Sequence, residues 1–109
     1  MKPDPILPVI YADIALKEID EIADWNEKTY GRDHARRYCT FLEGRIDDLG
    51  SSYAKGRIVG VRPDLRYIII RRRNHGHGHV AVYSFDHKSV NVLHVFHTAQ
   101  NWEPRVSRE

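Results

Sequence analysis

Residues 65–97 read LRYIIIRRRNHGHGHVAVYSFDHKSVNVLHVFH. Three runs stand out within them: Leu65–Arg73, His79–Asp86 and Ser89–His97. Each is rich in Val, Ile, Tyr or Phe, the residues that suit a pleated, half-buried surface. Asn74-His75-Gly76-His77-Gly78 separates the first two runs, and His87-Lys88 separates the last two. Connections this short and polar turn the chain straight back, so the runs predict an antiparallel meander of three strands.

Working outward, the segment before the meander has helical spacing. Ala15, Ile19, Ile22, Ala23 and Tyr30 form one apolar stripe, with Asp13 as the expected N-cap and Gly31 as the stop. Asp33 is the expected cap of a second helix, whose stripe is Ala35, Tyr38, Leu42, Ile46 and Leu49. Gly50-Ser51-Ser52 ends it. Two amphipathic helices with a short link make an antiparallel hairpin. Ile6–Tyr11, flanked by Pro3, Pro5 and Pro8, reads as a short edge strand. Tyr53–Asp64 reads as loop or irregular strand. The polar tail from Thr98 is expected to be loosely held. The fold class expected is α+β: an N-terminal strand and an antiparallel helical hairpin packed on one face of a small twisted, mainly antiparallel β-sheet. The other sheet face is expected to stay open. Residues 1–109 are expected to form a single domain, with 1–5 and 103–109 loosely ordered.

The charge is unevenly placed. Residues 1–51 carry 7 basic and 11 acidic side chains, whereas residues 52–109 carry 10 basic and 4 acidic ones and six of the seven histidines. A basic C-terminal part points to an anionic partner. The single cysteine, Cys39, excludes a disulfide framework. No apolar run approaches the roughly 20 residues of a membrane span, and MKPDP at the N-terminus lacks a signal-peptide core. A cytoplasmic protein with no membrane association is expected. Large enzymes, collagens and cysteine-based zinc ribbons are excluded.

Three groups of residues are candidates for function. The first is the arginines Arg57, Arg62, Arg66, Arg71, Arg72 and Arg73, clustered in or beside one strand. Guanidinium forks suit carboxylate or phosphate, and the same charges also discourage edge-to-edge strand pairing. The second is His75-Gly76-His77-Gly78-His79, where alternate imidazoles share a face in extended chain. With no Cys or carboxylate spaced to complete a metal site, it reads as a polar hairpin turn, so no metal and no cofactor are expected. The third is Tyr83 with His97. A hydroxyl, an imidazole and guanidiniums suffice for metal-free RNA cleavage. They equally suit a strand interior and a strand end. Cys39, Trp25 and Trp102 read as packing residues, with Trp102 also a candidate contact for a partner.

Taken in order, these features resemble the ParE/RelE superfamily of bacterial type II toxins, and the ParE branch more than the RelE branch. The resemblance runs from about Ile10 to Trp102. It rests on the hairpin spacing, on Arg62–Arg66 (RPDLR), on His79–Tyr83 (HVAVY) and on Val92–Trp102 (VLHVFHTAQNW). It implies a growth-arresting toxin neutralised by a cognate antitoxin in a hetero-oligomer, with DNA gyrase as the target of ParE-like members. The alternative it implies is a RelE-like, ribosome-dependent mRNA endonuclease without a metal. In that case His97, Tyr83, Arg66 and Arg71 would be catalytic. Arg62, Arg66, Arg71, Arg72, Arg73 and Trp102 are the residues expected to meet antitoxin or target. The sequence lacks the Lys-rich cluster of the RelE type.

Overall fold

The computed structural model describes residues 4–73 and 77–109. The elements in order are strand β1 (Val9–Tyr11), helix α1 (Asp13–Tyr30), helix α2 (Arg32–Asp47), a short helix α3 (Leu49–Ser52) and a 3₁₀ turn (Tyr53–Lys55). Strands β2 (Arg57–Val59), β3 (Arg62–Ile70), β4 (His79–Phe85) and β5 (Val90–His97) follow, then helix α4 (Trp102–Ser107). One five-stranded sheet has the order β1-β5-β4-β3-β2. All neighbours are antiparallel except β1, which pairs parallel with β5 from Val9–Val90 to Tyr11–Val92. This is the expected α+β arrangement with one more strand. β2 lies in the segment read as loop, and β3 starts at Arg62 rather than Leu65.

The short link of the helical hairpin is a single residue. Gly31 alone separates the two helices, at a φ of 96° that disfavours any side chain. Ala12, not Asp13, is the N-cap of α1, and Asp13 stands in the first turn, where its charge suits the helix dipole. Ala15, Ile19, Tyr38, Leu42, Ile46 and Leu49 are buried as their spacing predicts, against Ile70, Ala81, Tyr83, Val92 and Val95 of the sheet. Tyr30, placed on the stripe by spacing, is 58% exposed at the end of α1, where its ring meets Trp25 and His34.

The second sheet face, expected from the sequence to stay open, is covered. Val59, Leu65, Val80, Val82 and Phe96 form a second cluster there, and α4 covers it with Trp102 and Val106. A bulge makes both faces apolar. Val82 pairs with His94 and Tyr83 with Val92, so Leu93 is the extra residue. Val90 and Val92 therefore face the hairpin together with Val95, while Leu93 and Phe96 join the α4 side. The tail expected to be loose is thus anchored. Trp102 stacks on Phe96 and meets Tyr67 edge-on, and Arg62 Nη1 donates to the carbonyls of Val106 (3.2 Å) and Glu109 (2.7 Å). Asn74, His75 and Gly76, the heart of the expected turn, lie outside the described residues.

Candidate functional site

The sequence grouped Tyr83, His97, Arg66 and Arg71, but the sheet register separates them. Tyr83 pairs with Arg66 and Val92, while His97 pairs with His79 at the other end of β4. Four residues of strand amount to about 13 Å. Tyr83 is fully buried on the hairpin side, and its hydroxyl donates to the Tyr53 carbonyl at 2.7 Å. Burial pushes that hydroxyl's pKa up. Arg66 Nη1 donates to the carbonyls of Gly56 (2.8 Å) and Ala54 (3.2 Å), and its guanidinium lies 5.6 Å from the centre of the Phe85 ring. Both residues tie the chain before β2 to the sheet.

Arg62 is similarly engaged. It makes a forked pair with Asp64, at 3.0 and 2.8 Å, besides clamping the end of α4. Its guanidinium holds the Asp64 carboxyl below the usual carboxylate range. Trp102, expected as a possible partner contact, is a buried anchor only 8% exposed.

His97 stands in a group the sequence did not reveal. Its ring centre lies 5.4 Å from that of His79 and 5.4 Å from that of His77. Its Nδ1 accepts the Ala99 N–H at 3.0 Å. The Nδ1 of His79 hydrogen-bonds the Tyr38 hydroxyl of α2. Burial, then the neighbouring His97, brings His79 down to about 4. Burial and His77 lower His97 as well. Among the described residues no three His, Cys, Asp or Glu side chains converge as metal ligands, and His75 lies outside them.

The exposed cations gather elsewhere. Arg72 projects over the Phe41 ring at 5.9 Å. Arg71 and Arg73 line a groove of about 430 Å³ with Arg45, Lys55 and Arg57. Tyr67, Ile68 and Ile69 of β3 form its apolar part. Arg45 and Lys55 were not singled out by sequence, because they come from a helix face and a turn that only the tertiary fold brings beside β3. The one available signal was the position of Arg45 off the apolar stripe of α2.

A family model described as "ParE toxin of type II toxin-antitoxin system, parDE" matches residues 9–102. The chain belongs to the ParE toxin family. A solved chain from a "Chromosomal ParDE TA system from P. aeruginosa" is similar to this ParE toxin in fold, with a TM-score of 0.71 at 15% identity. The likeness covers 84% of this chain and 95% of that one. No curated protein sequence matches. The matched span starts at β1 and closes on Trp102, the anchor of α4. The match therefore takes in the helical hairpin and the sheet, and ends at the first residue of α4.

Proposed function

We propose that this ParE family member is a toxin that arrests growth by inhibiting DNA gyrase through protein contact, and that a cognate antitoxin holds it inactive in the cytoplasm. The family match over nearly the whole chain supports the toxin reading. The observation that favours gyrase over RNA cleavage is the commitment of Tyr83. A general acid or base must reach the proton it transfers, and this hydroxyl is buried and bonded to a backbone carbonyl. Arg66 is bonded to two more carbonyls, so the guanidinium expected to hold a scissile phosphate is already engaged. Inhibition by contact needs only a shaped surface, and the exposed arginines Arg71, Arg72 and Arg73 provide a basic one.

The test is a supercoiling assay with purified gyrase. Loss of supercoiling on adding the toxin is expected. Supercoiling that continues unchanged at toxin excess overturns the reading. The variant combining Tyr83→Phe with His97→Ala separates the two targets: growth arrest persists in it if gyrase is the target and disappears if RNA cleavage is.

A further inference from the structure

Three isoleucines mark the sheet edge opposite the arginine groove. Ile6, Ile10 and Ile14, at and beside β1, are each more than half exposed. β1 ends the order β1-β5-β4-β3-β2, so its outer side has no strand neighbour among the described residues. Two hydrogen bonds fix which backbone groups turn outward. The Pro8 carbonyl accepts the Val90 N–H, and the Ala12 N–H donates to the Val92 carbonyl, each at 2.9 Å. In a parallel ladder a residue turns both its backbone groups to one side and the next residue turns them to the other. Pro8, Ile10 and Ala12 therefore face β5, while Val9 and Tyr11 face outward. Their two N–H and two C=O groups form a short open edge. Such edges are commonly guarded by lysine, and no Lys or Arg occurs from Asp4 to Leu16. Pro8 is no guard either, because the N–H that proline lacks would face β5.

The charge beside this edge is negative. The Tyr11 hydroxyl donates to Asp47 Oδ1 at 2.6 Å. Burial, the Asp47 bond and the Glu43 charge together raise that hydroxyl's pKa. The Leu7 N–H donates to the Gly50 carbonyl at 2.8 Å, which holds the end of the helical hairpin, with Asp47 and Asp48, beside β1. Asp13, Glu43, Asp47 and Asp48 are exposed, and none makes an ion pair among the described residues.

We infer that the outer edge of β1 docks an extended polypeptide segment in which apolar residues alternate with lysine or arginine. Val9 and Tyr11 supply the backbone pairing and so the register. The side chains of Val9 and Tyr11 pack toward the helical hairpin, and Ile10 lies on the other face. Alternation in the partner follows from this: its cations meet Glu43 and Asp47 on the hairpin face, and its apolar residues meet Ile10 on the other. A second copy of this chain suits the edge less well. Pairing β1 with β1 about a twofold axis sets both hairpins on one face and brings like carboxylates together. Phosphates meet the same repulsion. The site shares no residue with the arginine groove and lies at the other end of the sheet.

The experiment uses the whole chain and a fluorescent peptide alternating lysine with valine. Saturable binding by fluorescence anisotropy is expected. Glu43→Gln combined with Asp47→Asn is expected to weaken it about tenfold, and the asparagine still offers Tyr11 an acceptor. Glu21→Gln combined with Asp24→Asn, about 12–16 Å along α1 from Asp13, is expected to leave it unchanged. The same peptide with all its backbone amides N-methylated should lose binding, since it cannot add to a strand edge. This arm needs no change to the protein. Ile10→Lys places the missing guard on the edge and should abolish binding while urea unfolding stays cooperative. Absence of saturable binding, equal binding of the N-methylated peptide, or an equal loss in the Glu21 and Asp24 variant overturns the inference. So does a dimer in sedimentation equilibrium that Ile10→Lys dissociates, since a second copy then holds the edge.

Discussion

Gly56 and Tyr83 compete for one space. A Cβ at Gly56 would stand 2.8 Å from Tyr83 Cζ and 3.0 Å from Cε1, and closer still to the hydroxyl. Overpacking of this kind costs about 1–3 kcal/mol, so Gly56→Ala is expected to lower the unfolding free energy measured in urea by that amount. Tyr83→Phe strands the Tyr53 carbonyl at a cost of about 1 kcal/mol. Together the two changes are expected to cost less than their sum, because the phenyl ring removes the worst of the clash; strict additivity would show that the two residues do not meet. His79 gives a pH dependence. An imidazole held near 4 in the fold, against 6.5 in the unfolded chain, binds its proton more readily when unfolded. Its contribution is complete above 6.5 and is lost as pH falls toward 4, by up to roughly 3 kcal/mol. The titratable groups that face it are Tyr38 and His97, with His77 beside His97 and the Arg72 charge acting on Tyr38. The midpoint of urea unfolding is expected to drop between about pH 7 and pH 5, and His79→Asn, which still offers Tyr38 a polar neighbour but does not titrate, should flatten that fall.

Helix α4 is the element on which the second sheet face depends. Six residues do not sustain a helix by themselves, so Trp102, Val106 and the Arg62 clamp must hold it in place. Trp102→Ala is expected to cost about 3–5 kcal/mol by urea denaturation, and the exposed Val80, Val82 and Phe96 face should then bind a hydrophobic dye. This helix was illegible in the sequence. Its two apolar residues, Trp102 and Val106, stand one turn apart in a polar tail that also carries Pro104, which is too short a run to show a period. β2 was hidden for a similar reason, being three residues between Gly56 and Gly60. The hairpin and the three long strands were legible because each repeats its pattern often enough: Leu42 and Ile46 are fully buried where the 3.6 period puts them. Of the site, the basic character of the Arg71–Arg73 end could be read directly. The buried role of Tyr83 could not, since alternation along β4 does not say which of its two faces the helical hairpin will cover.

At the scale of the whole molecule, an acidic helical half lies on a sheet half that carries most of the positive charge. Sequence showed that split but not the groove, because Arg45 reaches it from the acidic half. The sheet itself joins the two ends of the chain: β1 is hydrogen-bonded to β5, so Val9 waits for Val90. Contacts this distant in sequence form late and slowly. The hairpin emerges first, yet most of the surface that buries its stripe is translated after it. A chain stopped at Ser89 lacks β5 and is expected to show no cooperative unfolding by circular dichroism and to leave colonies growing. Ribosomes that stall or abort on this message would accordingly release harmless fragments, and the hazard to the cell begins only when a finished copy leaves the exit tunnel.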